Sequence, residues 1–231
     1  KMETLIELDK QLFLSLNGSD SAYWDSVMWI VTKTTTWIPL LLVLLYVLLK
    51  NGDARRFLFV VLALGITIAL ADRLSSGVIK PLVMRYRPTH DASLYHIVDI
   101  VRGYRGGTYG FVSSHAANTF AVFTFLSLLF RSRLMASCLF LWACVSSYSR
   151  IYLGVHFPGD ILCGAVLGAL IGGAVYFAYR YITTQQGGEE RFYSTAYTSS
   201  GFLCRDMQLL AFVLMATYCV VFLVAIPLAV R

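Results

Sequence analysis

The stretch Ser149-Arg150-Ile151-Tyr152-Leu153-Gly154-Val155-His156-Phe157-Pro158-Gly159-Asp160 sets an arginine, a histidine and a carboxylate between two apolar runs. Charged groups at the end of an apolar helix are costly and demand a reason. His156 and Asp160 are four residues apart. With a helix starting near Pro158, the carboxylate still reaches the ring and orients it. An oriented imidazole beside a guanidinium suits nucleophilic attack on phosphorus. The plainer alternative makes Arg150 a helix-end residue, Asp160 a helix N-terminal acid and His156 a polar loop position.

Two further clusters stand at the ends of apolar runs. Lys80-Pro81-Leu82-Val83-Met84-Arg85-Tyr86-Arg87-Pro88 closes one run, and Phe111-Val112-Ser113-Ser114-His115 opens another. Lys80, Arg87 and Arg150 supply cations for a phosphoryl group, whose charge must be held through displacement. The planar fork of arginine holds two oxygens at once. Ser113 and Ser114 lie where a helix begins, so their hydroxyls and the free backbone N–H groups make an anion site. Two histidines, His115 and His156, allow one to attack and the other to protonate the leaving oxygen. Asp160 would hold the attacking ring in the right tautomer. Taken singly, a Lys or Arg here is an interfacial anchor, Ser113 an N-cap and His115 a polar helix start. The three clusters falling together on one face favour phosphoryl transfer.

The elements that position these residues follow from composition. The chain has 231 residues, 58% hydrophobic and 14% charged, with a mean hydropathy of +0.67. The apolar residues cluster in long runs, which implies an all-α polytopic membrane helix bundle. Residues 1–25 are expected to form an N-terminal interfacial helix. Leu5, Leu8, Leu12 and Leu16 recur at helical spacing opposite Glu3, Glu7 and Lys10, in a segment too short and polar to span. Residues 26–182 are read as the catalytic transmembrane core, 183–206 as a cytoplasmic loop and 207–231 as an additional C-terminal transmembrane helix. Six spans are expected, near Ser26–Leu49, Phe57–Ile79, Ser113–Phe130, Leu134–Ser149, Pro158–Tyr181 and Leu209–Val230. Gln185-Gln186-Gly187-Gly188-Glu189-Glu190 reads as a mobile part of the polar loop. Asp72 and Arg73, with Ser75, Ser76 and Gly77, are expected to pack inside the bundle, with Asp72 near enough to support Lys80.

The net charge of +6 sits at helix ends and in loops, which suits anionic lipid rather than nucleic acid. Lys50, Arg55, Arg56, Arg131, Arg133, Arg180, Arg191 and Arg205 fall on one side. Lys80, Arg85, Arg87, Arg102, Arg105 and Arg150 fall on the other. The second set clusters with the histidines, so function explains its charge. Discounting it makes the first side cytoplasmic and the site extracytoplasmic. The five cysteines (Cys138, Cys144, Cys163, Cys204 and Cys219) read as small buried hydrophobes rather than a disulfide framework. No metal-ligand spacing links His90, His96, His115 and His156, and no cofactor is implied. No cleavable signal peptide is visible, and Lys1 before Met2 reads as a remnant ahead of the natural start.

These motifs resemble those of the type 2 phosphatidic acid phosphatase superfamily. Lys80, six residues and Arg87-Pro88 match its first signature. Ser113-Ser114-His115 resembles the second, usually written Pro-Ser-Gly-His, with Val112 and Ser114 in place of the Pro and Gly. Ser149-Arg150, five residues, His156, three residues and Asp160 match the third. The resemblance covers about residues 20–182. It implies a metal-independent phosphatase in which His156 forms a phosphohistidine, Asp160 orients it and His115 protonates the leaving group. Lys80, Arg87, Arg150 and Ser113 would bind the phosphate, with Ser114 adding a hydroxyl beside them. It also implies a bacterial six-helix architecture with an extracytoplasmic site.

The substrate is then a phosphorylated membrane lipid, with lipid A or undecaprenyl diphosphate favoured over phosphatidylglycerophosphate and phosphatidic acid. The Thr89–Gly110 loop lies between two motifs and is expected to cover the site, with Arg102 and Arg105 as candidates for head-group recognition. The competing function is an anionic-lipid transporter or flippase using the same cations. A transporter more often shows paired half-helices and internal repeats, which this sequence lacks.

Overall fold

Apolar runs must satisfy their backbone groups internally, and they do so here as helices. The computed structural model describes residues 2–184 and 195–229. Lys1, Arg191 and the expected loop residues Gln185 to Glu190 lie outside the described residues. The helices are α1 (Met2–Leu16), α2 (Ala22–Val31), α3 (Ile38–Lys50), α4 (Ala54–Asp72), α5 (Lys80–Val83), α6 (Ser114–Phe130), α7 (Arg133–Tyr152), α8 (Pro158–Thr184) and α9 (Cys204–Ala229). A π-helical stretch, Arg73–Ile79, joins α4 to α5, so Ala54–Val83 is one 30-residue helix.

Among the described residues, four helices are long and apolar enough to cross a membrane, namely Ala54–Val83, α7, α8 and α9. The broken pair α2 and Thr34–Lys50, bent by 68°, is long and apolar enough only when its two parts are taken together, as one broken span or a re-entrant loop. The sixth expected span, α6, has only 17 residues and falls short of that length. Large apolar side chains such as Leu62, Leu162, Leu170, Phe212 and Leu223 are exposed on the outer faces, as lipid contact requires.

The centre of the bundle is the pair α6 and α8, which share the most extensive packing. The two helices run parallel. Gly164, Gly168 and Gly172 of α8 lie at four-residue intervals against the backbone of Ser113, Ala117 and Ala121 of α6. A Cβ on Gly164 would sit 2.5 Å from the Ser113 carbonyl oxygen, and one on Gly168 or Gly172 would clash harder. Small residues of this spacing let helix backbones approach closely.

Helix α9 closes the bundle against α2, α3 and α7. Its buried Asp206 accepts from Lys50 Nζ at 2.6 Å and Asn51 Nδ2 at 2.7 Å. Midway along α9, Tyr218 meets Trp37 edge-on, and Trp37 in turn meets Trp142 edge-on.

Two expectations need correction. Asp72 and Arg73 are exposed and do not pack inside the bundle; of that group Ser75 is buried. The physical reason is position. Asp72 lies about 27 Å along the axis from Ala54, close to the far edge of a bilayer core about 30 Å thick. The cysteines are free thiols but none is buried, with Cys163 and Cys219 exposed on outer faces and the others half-buried. In a lipid environment an apolar thiol has no need of a protein core. In α1, Leu5, Leu8, Leu12 and Leu16 are exposed, consistent with an apolar face turned to a membrane surface. The face turned to the protein carries Asp9, Lys10 and the fully buried Phe13, which periodicity did not single out.

Candidate active site

Four chain segments end at one place. The continuous helix Ala54–Val83 ends there with Lys80 in its last turn, α6 starts there with Ser114 and His115, α7 ends there with Arg150, and α8 starts there with Asp160. The connecting loops supply Arg87 and His156. All these residues are buried or half-buried.

Asp160 stands at the third position of α8, and its Oδ2 accepts the Phe157 N–H at 3.0 Å. A first-turn acid that reaches back to the N-cap N–H is one half of a capping box. The same Oδ2 lies 3.4 Å from His156 Nδ1, and Oδ1 accepts from Arg85 Nη1 at 3.0 Å. The Asp160 carbonyl accepts the Ser113 N–H at 3.0 Å, which ties the α6 entry to the α8 entry. Gly110 packs here because a Cβ would lie 3.0 Å from Asp160 Oδ2 and 3.2 Å from Arg87 Cγ.

His156 is 2% exposed. Burial lowers its pKa well below the ordinary 6.5, and the charges of Arg87, Arg150 and Lys80 lower it further. The ring is therefore a neutral imidazole among cations, the form that attacks an electrophile. Its Nδ1 has only the 3.4 Å approach to Asp160, longer than a usual hydrogen bond of about 2.7–3.2 Å.

The cations are held from behind with donors left over. Arg150 donates from Nη1 to Thr32 Oγ1 at 2.8 Å and from Nη2 to the Tyr104 hydroxyl at 3.3 Å. Arg87 donates from Nε to the Tyr109 carbonyl at 3.2 Å. Arg87 Nη1 and Arg150 Nε are buried with no hydrogen-bond partner among the described residues. Buried donors of this kind are rare in folded proteins and mark a site built for an acceptor. Burial, with the Arg150 charge beside it, pulls the Arg87 guanidinium below its ordinary pKa. Burial alone would raise Tyr104, but the Arg150 hydrogen bond and charge outweigh it and lower the phenol.

Lys80 Nζ donates to Ser114 Oγ at 2.6 Å, and Ser114 Oγ lies 2.7 Å from Ser76 Oγ. Ser76 in turn donates to Asp72 at 3.5 Å, so a chain of two hydroxyls links Asp72 to Lys80. The π-helical stretch brings Ser76 and Lys80 onto one hydroxyl, in keeping with the frequent placement of π-bulges at functional sites. Ser113 is fully buried, and its hydroxyl caps α6 by accepting the Ala116 N–H at 3.4 Å. The first-turn N–H groups of Ser114 and His115 have no intrahelical acceptor by position. His115 Nε2 lies 2.9 Å from Ser146 Oγ of α7, which sets the ring's orientation.

The structure thus brings together Lys80, Arg87, Ser113, Ser114, His115, Arg150, His156 and Asp160. Arg102 and Arg105 are exposed, and their contacts lie outside this cluster. Arg102 donates to Ser26 Oγ at 2.9 Å, and Arg105 donates to the Thr89 carbonyl at 3.2 Å and stacks over Tyr95. Sequence reasoning missed Asp9, Thr32, Arg85, Tyr104 and Ser146. Arg85 alone carried a signal, as a second charge inside the first motif.

The chain is similar to known proteins by family, by sequence and by structure. The family model described as the PAP2 superfamily matches residues 56–184. The chain is 40% identical over 185 residues to the lipid A 4'-phosphatase of Bacteroides thetaiotaomicron, covering 80% of this chain and 82% of that one. It is 35% identical over 180 residues to the lipid A 4'-phosphatase of Porphyromonas gingivalis, covering 78% and 76%. The crystal structure of Aquifex aeolicus LpxE superposes with a TM-score of 0.55 at 26% identity, covering 73% of this chain and 94% of that one.

Proposed function

The chain belongs to the PAP2 superfamily, and from that membership we propose that it removes a phosphate group from lipid A through a phosphohistidine on His156. The observation that carries the mechanism is the pair of buried, unpartnered donors, Arg87 Nη1 and Arg150 Nε, around an imidazole backed by a carboxylate. The choice of lipid is supported by the two lipid A 4'-phosphatases, whose likeness extends over most of both chains.

With Nδ1 turned to Asp160, Nε2 of His156 is the attacking nitrogen. Its lone pair forms the P–N bond as the P–O bond to the lipid breaks, and the leaving oxygen takes a proton from His115. Arg87, Arg150 and Lys80 hold the equatorial oxygens, where charge accumulates. Asp160 stabilises the imidazolium character that develops on His156. In the second half, His115 takes a proton from water as the water oxygen attacks phosphorus. The P–N bond breaks, and inorganic phosphate leaves. With the cations that cluster at the site discounted, the basic residues Lys50, Arg55, Arg56, Arg131 and Arg133 support a cytoplasmic location for that end of the bundle. The catalytic end then faces the outside of a bacterial inner membrane.

The test is phosphate release by purified protein in detergent from lipid A, undecaprenyl diphosphate, phosphatidylglycerophosphate and phosphatidic acid, side by side. Lipid A is expected to turn over fastest, with EDTA having little effect. His156→Ala is expected to abolish release and the acid-labile phosphoprotein. If that variant keeps wild-type turnover, the covalent mechanism is wrong. If the wild-type protein binds the lipids and releases no phosphate from any of them, the same cations serve transport.

A further inference from the structure

Arg85 lies inside the first motif but turns away from the phosphate-binding cations. Its Nη2 meets Asp9 Oδ2 of α1 at 2.7 Å, and its Nη1 meets Asp160 Oδ1 at 3.0 Å. Its guanidinium stacks over the Phe157 ring, 4.2 Å from the centroid. Asp9 Oδ1 also accepts the Gly159 N–H at 2.7 Å. A Cβ on Gly159 would stand 2.8 Å from Asp9 Oδ2, so the first turn of α8 is shaped for this carboxylate. Phe13, one turn along α1, is fully buried and packs edge-on against Phe157.

The far end of α1 is fixed as well. Asn17 donates to the carbonyls of Asp99 and Tyr152, each at 3.0 Å. Lys10 pairs with Asp91 at 2.9 Å. The helix therefore sits as a rigid strap across the α7–α8 junction and the Thr89–Gly110 loop.

We propose that Asp9 and Arg85 are positioning residues for the Asp160–His156 pair, which makes the N-terminal helix part of the catalytic architecture. The inference rests on His156 as nucleophile. An arginine fork facing a lone carboxylate takes both of its oxygens. Asp9 occupies one arm of Arg85, so only Nη1 reaches Asp160, at Oδ1. Oδ2 is left to the Phe157 N–H and to His156. Asp9 also balances the Arg85 charge, so the negative charge of Asp160 acts on the imidazole instead of being cancelled. That matters because the other groups facing His156 are cationic or neutral. They are Lys80 from α5, Arg87 from its loop, His115 from α6 and Arg150 from α7.

The experiment uses the full chain in detergent with the panel lipid turned over fastest, measuring kcat, KM, thermal unfolding and the pH dependence of kcat/KM. Asp9→Asn is expected to lower kcat about tenfold with KM within about twofold. It is also expected to move the acid limb of the profile to lower pH, because a negative charge near His156 is lost. Arg85→Lys, which keeps the charge but loses the planar fork whose two arms reach Asp9 and Asp160, is expected to lower kcat in the same way. It carries the test alone if Asp9→Asn does not fold. Asp9→Glu is expected to restore most of kcat. Wild-type kcat in both Asp9→Asn and Arg85→Lys overturns the inference. So does a loss confined to unfolding temperature with an unmoved acid limb. His156→Ala run alongside separates the two readings. If it is dead while Asp9→Asn and Arg85→Lys are unimpaired, only the positioning role is wrong. If it is active, the nucleophile assignment is wrong.

Discussion

Gly164→Ala tests whether the contact between α6 and α8 sets the catalytic geometry. The added methyl would lie 2.5 Å from the Ser113 carbonyl oxygen, about 0.9 Å short of ordinary contact at 3.4 Å. The obstruction is backbone, so one helix must shift. Overpacking of this kind costs about 1–3 kcal/mol, and replacing a helical glycine by alanine returns about 1 kcal/mol. The net loss of stability is then about 1 kcal/mol. The catalytic loss is larger. The Ser113 N–H holds the Asp160 carbonyl at 3.0 Å, and His115 follows two residues on, so the shift separates the acid from the nucleophile's partner. A misplacement of about 1 Å lowers rate by about 100-fold, so kcat is expected to fall between about 10- and 100-fold. Gly173→Ala is the control. A Cβ there meets nothing within 4 Å, and the variant is expected to be stabilised by about 0.5–1 kcal/mol with kcat unchanged. Thermal unfolding in detergent and phosphate release read the two quantities. A Gly164→Ala protein with wild-type kcat would refute the reasoning, whatever its stability.

Two further outcomes follow from other parts of the molecule. Lys50→Ala leaves the Asp206 carboxylate, 2% exposed, with Asn51 as its remaining side-chain partner. Because Lys50 is itself 28% exposed, the expected loss is about 1–3 kcal/mol in unfolding free energy, with kcat unchanged because the pair lies at the opposite end of the bundle. The depressed pKa of His156 sets a pH dependence of stability. Below 6.5 the unfolded chain binds a proton at this histidine that the folded chain does not, so stability falls with pH. The expected slope is about 1.4 kcal/mol per pH unit, until the native pKa is reached. His156→Gln should remove that part of the slope in an unfolding series between pH 7 and 5. An unchanged slope would mean that the ring is not buried as a neutral imidazole.

The helices and the site were legible to different degrees, for physical reasons. Long apolar runs leave the backbone no alternative to helix, so α4, α7, α8 and α9 could be read directly. The shortness of α6 and the break between α2 and α3 could not, because packing and a bend near Thr32 decide them rather than hydropathy. Lys80, Arg87, His115, Arg150, His156 and Asp160 were legible because their types and spacing belong to one chemistry. The hydroxyl of Ser113 is engaged in capping α6, a local role that competes with anion binding at any helix start. Asp9 was invisible because its partners, Arg85 and Gly159, are 76 and 150 residues away. On α1 it reads as one more residue of a solvated face.

The alternation of helix direction at the catalytic end has an electrostatic consequence. Lys80 and Arg150 stand in the last turns of α5 and α7, where the peptide dipoles present their negative ends. The α6 and α8 starts present positive ends, one open to an anion and the other holding Asp160. Lys80, Arg150 and Asp160 therefore each sit on the helix end of opposite sign. The up-and-down course of the chain builds much of the field before any side chain is chosen. Exchanging a cation of α7 for one at the start of α8 would keep the net charge and lose that support.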